Sequence, residues 1–499
     1  MTSYVWQFLG YPPPRTPPTL VATDEVVPLH PFDDTKTLSE YTLAWTFRFD
    51  EVLDADKLGQ TLSQLFQMEG WRKLGGRLRK GPNGKTEVHI PTPFTDARPS
   101  VLFSKESHQM RMCDHPEASK LPEASNEPKT FPSPRNYISL ALGPDTPRTF
   151  EDFIYSDHPQ FALHVVTFED GTLVSVNFSH MTSDLGGFAA VIDAWKLVLA
   201  GRPEAVPKFE GFREDPMAPL YTGEPTEKVR HGLPHLTGFG LISWAMRQML
   251  EFKFYPAESR TLCIPAKIAD ALLKEAKDQA ASEGTDSQGK PMFASEHDVI
   301  IALINRFIAG GFPSGSQRNI VTLMAIDPRP RVKSVFRDGS AYVQNAALPA
   351  YVQCSALEAL TLPTGKLALR SREALSTQST EGQFNALLWL AHDHVTKTGN
   401  SPLFGDSSMA FVVVSNWSKA ALMDKMDFSP AIVKPAENER PGRTPGRPVY
   451  YQSQSIDEGS FSTSIVVIMG RDLDRNLWLF GDFQSHVWSK FTEYLRTYL

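Results

Sequence analysis

The stretch TLVSVNFSHMTSDLGGFAAVIDAWKLVLA (Thr172–Ala200) decides how the whole chain is read. Thr172 to Phe178 reads as a strand. Asp170-Gly171 before it is a tight-turn pair that joins it to a second strand reading, Phe161 to Phe168. After SHMTSDLGG (Ser179–Gly187), the residues Phe188, Val191, Ile192, Trp195 and Leu199 recur at i, i+3, i+4, i+7 and i+11. That spacing is the stripe of a core-facing helix. His180 and Asp184 therefore sit on a strand-to-helix turn.

Working outward, Tyr41 to Phe49 alternates like a strand. Asp54 then caps a helix whose stripe is Leu58, Leu62, Leu65 and Phe66. KLGGRL (Lys73–Leu78) ends that unit, and Thr86 to Ile90 is a further strand reading. From Pro91 to Phe150 Pro, Ser, Glu and Lys dominate, and a mobile surface flanking a substrate entrance is expected. Gly201 to Pro234 reads as linker and Thr237 to Phe254 as one helix. A second folding unit begins near Arg260, with a short strand at Leu262 to Ile264 and a helix from Ala266. Ser295 caps a helix carrying Val299, Ile300, Leu303, Ile304 and Phe307. Strands are expected at Asn319 to Ile326, Ser408 to Ser415 and Ser462 to Met469, and a closing helix from Phe483. The order implies an α/β fold, mixed sheets with helices packed on them. The division expected is residues 1–205, a crossover linker 206–258, and 259–499.

The chain has 499 residues, of which 41% are hydrophobic and 21% charged, ordinary values for a globular protein. A net charge of −7 argues against a nucleic-acid partner, which needs a concentrated Lys/Arg field. Cys113, Cys263 and Cys354 are far apart and form no CxxC pair, so no metal site of that kind is expected and reduced thiols are. The N-terminus lacks a secretory pattern, and no apolar run reaches the roughly 20 residues of a membrane span. A cytoplasmic protein with no membrane partner is expected. There is no phosphate loop, dinucleotide fingerprint or GxSxG elbow, which argues against an ATPase, a nicotinamide enzyme and an α/β-hydrolase.

His180 carries the chemical reading. A neutral imidazole with a pKa near about 6.5 takes a proton near neutral pH, and an alcohol must lose one as it attacks a thioester. Asp184, four residues on, either orients the ring or turns back to hold the loop. The plain alternative is a hydrogen-bonded core histidine with Asp184 as helix N-cap. Spacing does not choose between them.

Further motifs occur in order. LDADKLGQTLSQLF (Leu53–Phe66) and GGRL (Gly75–Leu78) come first, then HMTSDLG (His180–Gly186), SEHDVIIAL (Ser295–Leu303), AIDPRPR (Ala325–Arg331), YVQNA (Tyr342–Ala346), VSNW (Val414–Trp417) and DFSPA (Asp427–Ala431). Together they resemble the BAHD acyltransferase superfamily, its fungal branch in particular. The glycine of that family's HxxxDG is displaced by one, to Gly186. Gln344 stands where YxGNA has glycine, and DFSPA replaces DFGWG, putting the coenzyme A channel in question.

The resemblance implies two similar domains of mixed β-sheet with flanking helices and an active-site channel between them. It implies His180 as general base, Asp184 turned away and paired with Arg329, and Ser415 with Trp417 near the tetrahedral intermediate, the Ser415 hydroxyl donating to the oxyanion. Asn345 and Asp427 would support the site. Arg440 and Arg443, in ENERPGRTPGRP (Glu437–Pro448), are cofactor-phosphate readings, since guanidinium pairs well with phosphate; a solvated loop is the plain alternative. The implied activity is transfer of an acyl group, acetyl by default, from acyl-CoA to a hydroxyl or amine of a small alkaloid, terpenoid or polyketide, by a monomer without metal. The rival activity is a coenzyme A-independent condensation or cyclisation on the same fold.

Overall fold

The computed structural model describes residues 15–437, 441–456 and 464–499. The strand Thr172–Ser179 is buried along its whole length. It is the middle of a five-stranded sheet ordered Tyr450–Ser455, Thr42–Phe49, Thr172–Ser179, Phe161–Thr167, Leu102–Ser107. The pairings are antiparallel except the last, which is parallel. The helices Ala55–Leu65 and Leu185–Leu199 pack on each other and bury Leu58, Leu62, Val191 and Trp195 with the sheet's Phe47 and Phe178. Asp54 starts the first of these helices by accepting the Lys57 N–H. The Trp195 indole donates to Thr61 Oγ1 at 3.0 Å, so the buried N–H is satisfied.

A seven-stranded sheet forms the other half. Its order is Leu348–Ser355, Asn319–Ile326, Ala410–Asn416, Ser464–Arg471, Leu477–Gln484, Ala257–Ile264, Lys129–Pro132. Asn319–Ile326, Ala410–Asn416 and Ser464–Arg471 run parallel, and the rest pair antiparallel. Ser295 begins the helix Glu296–Ala309 with a reciprocal capping box to Asp298, and that helix's Ile301 and Ile304 are fully buried.

Three expectations are corrected. The contiguous division at 205 and 259 fails because the halves exchange strands. Lys129–Pro132 joins the seven-stranded sheet, and Tyr450–Ser455 joins the five-stranded one. The segment 206–258 is more than a linker. Lys208–Glu210 pairs in parallel with Ser340–Tyr342, and Met217, Leu220 and Tyr221 enter the second core. The segment 91–150, expected to be mobile surface, is ordered. Met112, Leu121, Tyr137 and Leu140 bury themselves with Val166, Phe168 and Leu173. Its apolar residues are spaced irregularly, so they show no period to read.

DFSPA packs onto the five-stranded half. Phe428 is fully buried, stacks on Phe49 at 5.7 Å and meets the Trp195 ring edge-on at 4.6 Å. Its N–H donates to Gly446 O at 2.8 Å. Gly446 has φ +77°, and a Cβ there would lie 2.2 Å from the Ser429 nitrogen, so only glycine fits this close approach. Asp427 is exposed and accepts the Ser429 N–H, a turn-holding contact. Phe428→Ala is expected to cost about 3–5 kcal/mol, read as a lowered urea midpoint.

Candidate active site

His180 directly follows the central strand Thr172–Ser179. Its backbone N–H donates to Tyr41 O at 2.8 Å, and its ring meets the Tyr41 ring edge-on at 6.5 Å. These contacts hold the backbone where the strand ends. His180 is half-buried, and its Nδ1 lies 3.1 Å from Asn345 Oδ1. Asn345 sits between Ser340–Tyr342 and Leu348–Ser355, in the opposite half. The imidazole therefore stands at the junction of the two halves.

The hydrogen-bond network fixes the tautomer. The Asn345 amide nitrogen donates to Asp33 Oδ1 at 2.8 Å and to His180 O at 2.9 Å. The His180 carbonyl oxygen can only accept, so this end of the amide is the NH2 and Oδ1 is the acceptor left for the ring. Nδ1 then carries the proton and Nε2 carries the lone pair. Desolvation holds the His180 pKa below its ordinary value, against smaller opposing contributions from its own backbone, Asp184 and Asn345. The ring is neutral at pH 7 and its basic nitrogen is Nε2.

Asp184 does not orient the ring: no hydrogen bond joins it to His180 among the described residues. Its Oδ1 caps the helix Leu185–Leu199 through the Gly187 N–H at 2.8 Å and accepts from Arg329 Nη2 at 2.8 Å. Its Oδ2 accepts the N–H groups of Ala346 and Ala347 at 2.8 and 2.9 Å. Desolvation would raise its pKa, but Arg329 and these N–H donors outweigh it, and the carboxyl is held below the usual carboxylate range. Arg329 also donates to Tyr342 O and Gln344 O at 3.0 and 2.6 Å.

The glycines of SHMTSDLGG allow this approach. A Cβ on Gly186 would lie 2.4 Å from Arg329 Nη1, and one on Gly187 would lie 1.7 Å from Val343 O. Both positions must lack a side chain for the two halves to close on the turn.

Behind Asn345 lies a group that sequence reasoning missed. Asp33 is buried; its Oδ1 accepts both the backbone and side-chain N–H of Asn345, while Oδ2 has no hydrogen-bond partner. Desolvation raises its pKa and lowers that of the nearby buried Lys73. Lys73 Nζ donates to Gly211 O at 2.8 Å, and the same oxygen accepts from Gln344 Nε2 at 2.7 Å and His30 Nε2 at 2.9 Å. Gln344, out of pattern in YVQNA, thus fills a role: its amide meets the glycine carbonyl. A Cβ on Gly211, at φ +86°, would lie 2.9 Å from Gln344 Oε1. Asp33 lies in HPFDD (His30–Asp34), which reads as an ordinary turn, so no local signal announced it.

Ser415 and Trp417 form a separate unit. The Trp417 indole donates to Ser415 Oγ at 3.0 Å, and its ring lies 4.5 Å from the Trp45 ring of the other half. No hydrogen bond links this unit to His180 among the described residues. Arg443 is committed elsewhere: its guanidinium, nearly buried, donates to Glu51 at 2.6 Å. The phosphate reading for Arg443 is corrected accordingly, because a buried ion pair leaves it no open face. Arg440 lies outside the described residues. No cluster of metal-ligating side chains occurs among the described residues.

Known proteins resemble this chain in sequence and in fold. The model of the Transferase family matches residues 146–457. Acetyltransferase adrJ of Penicillium rubens is 33% identical over 491 residues, covering 97% of this chain and 98% of its own. A protein of Penicillium decumbens named transcriptional regulator calD is also 33% identical, covering 97% of each chain. Among solved structures, F. graminearum TRI101 complexed with coenzyme A and deoxynivalenol superposes with a TM-score of 0.59 at 16% identity, covering 93% of this chain and 96% of that one. The chain belongs to the Transferase family, the BAHD acyltransferases, and is an acyl-CoA-dependent O-acyltransferase with the two-domain fold of that class.

Asp184→Asn is expected to lower the melting temperature at pH 7 and to abolish activity through loss of the loop. The Asp184 pKa is depressed by folding, so its stabilisation is present above the unfolded carboxylate value and fades as pH falls through the folded one. The difference in melting temperature between wild type and variant should therefore shrink below about pH 4. Lost activity with an unchanged melting temperature would assign Asp184 to the chemistry instead.

Proposed function

We propose that this enzyme transfers an acyl group, acetyl by default, from acyl-CoA to a hydroxyl of a small secondary metabolite, with His180 as general base in a ternary complex. The observation that carries the reading is the fixed tautomer: Asn345 holds Nδ1–H and leaves Nε2 basic at the junction of the two halves. The thioester and the acceptor enter that junction from opposite sides. The acceptor oxygen attacks the thioester carbonyl carbon while its proton passes to Nε2. The oxyanion takes a hydrogen bond from Ser415. The Trp417 indole already donates to Ser415 Oγ, which leaves the serine's own proton free to be donated; one such donor is typically worth about 2.7–4 kcal/mol of barrier. Collapse of the intermediate expels the coenzyme A thiolate, which takes the proton back from Nε2. No acyl-enzyme is required. The reading keeps a cytoplasmic monomer and takes an alkaloid, terpenoid or polyketide alcohol as the acceptor.

The relative named a transcriptional regulator supplies a second reading, a protein that acts without catalysis. A net charge of −7 gives no broad phosphate-binding field, and a binding protein has no need of an imidazole with a fixed tautomer beside an Asp184–Arg329 pair. The coenzyme A-independent condensation is separated by calorimetry: coenzyme A should bind, and absence of binding heat favours the condensation.

His180→Ala is expected to lower acyl transfer by about 10²–10⁴-fold with an unchanged circular dichroism spectrum. A mass-spectrometric screen of acetyl-CoA against hydroxylated metabolites reads it, and full activity in the variant removes His180 as base. In the wild type, kcat/KM should rise with pH and level off below the ordinary histidine value of about 6.5, because burial depresses this pKa and the ring must be neutral to accept the proton.

A further inference from the structure

The helix Gly238–Phe254 lies on the molecule the wrong way round. At 3.6 residues per turn, Phe239, Ile242, Met246, Met249, Leu250 and Lys253 share one side, and all six are exposed. Phe239 is 85% and Met246 58% exposed. The opposite side carries Trp244, Gln248 and Glu251. Trp244 packs edge-on against Phe411 at 6.2 Å in a small core beneath the helix. Glu251, the sole acid of the helix, is clamped by Arg318 at 2.6 and 3.0 Å. The side facing protein thus carries one tryptophan and the helix's one acid, while the Phe239–Leu250 apolar side faces solvent. A solvent-facing helix of a globular protein has the reverse pattern, and a contiguous apolar face of this kind marks an interaction site.

The charges name the occupant. With Glu251 neutralised inward, the exposed charges of the helix are Arg247 and Lys253, both positive. Lys253 sits within the apolar side, where its alkyl stem can lie along apolar matter while the ammonium reaches a polar boundary. Exposed Phe252, Phe254 and Tyr255 gather at the C-terminal end, the side-chain type that settles where apolar and wet layers meet. A second copy on this face would oppose like cations in a two-fold contact. An anionic lipid surface satisfies both features at once. No helix among the described residues is long and apolar enough to cross a membrane, so the helix lies along the surface.

We propose that Gly238–Phe254 docks this enzyme onto anionic lipid bilayers, its Phe239–Met246–Leu250 side entering the acyl boundary and Arg247 and Lys253 meeting headgroup phosphates. The expectation of no membrane partner rested on the lack of a spanning segment, a pattern to which a surface helix is invisible.

The test mixes the full chain with vesicles of phosphatidylcholine containing phosphatidylserine and sediments them. The wild type should sediment with the vesicles, and salt should weaken the binding. Ile242→Glu with Met246→Glu should reduce partition by about tenfold or more, with an unchanged thermal melt. Arg247→Glu with Lys253→Glu, which leaves every apolar group in place, should do so in a salt-dependent manner. Wild type that stays in the supernatant overturns the proposal, as do variants that sediment equally well. Sedimentation velocity without lipid gives a third outcome: a dimer that Met246→Glu dissociates assigns the face to a second copy and overturns the lipid reading.

Discussion

The ion pair of Asp184 and Arg329 is the contact on which the site is built. It lies where the two halves meet, and both partners are largely removed from water. Such a pair is costly to bury unless every lone pair and proton is satisfied. Here the carboxylate also takes the N–H groups of Gly187, Ala346 and Ala347, and the guanidinium takes the carbonyls of Tyr342 and Gln344. One end of this network caps the helix after the catalytic turn. The other orders the loop that carries Asn345. The imidazole is thereby positioned by a bond that never touches it.

Asn345 converts that positioning into chemistry. Its amide spans His180 and Asp33, so the ring's tautomer follows from a carboxylate two residues of structure away. An amide in this place transmits orientation without supplying a negative charge. The base therefore keeps a depressed pKa, which burial sets, where a direct carboxylate partner would raise it.

The sequence made much of this legible, and the reasons differ by residue. The strand Thr172–Ser179 and helix Leu185–Leu199 were readable because their periods are clean, and Asp54 and Ser295 because caps have local signatures. The Asp184–Arg329 pair came from resemblance, since 145 residues separate its members. Asp33 and Lys73 were not legible: their importance lies in burial and in partners far along the chain. The exchanged strands Lys129–Pro132 and Tyr450–Ser455 were hidden for the same reason. Strand pairing across hundreds of residues leaves no trace in a local window.

That exchange bears on how the polypeptide is made. Thr42–Phe49 leaves the ribosome well before its outer neighbour, Tyr450–Ser455, is synthesised. Until then the nascent chain exposes a bare sheet edge able to recruit foreign strands. Maturation is consequently a whole-molecule event: a ribosome that stalls before residue 450 releases a product with an unzipped flank, and no cut between the halves yields two self-sufficient pieces.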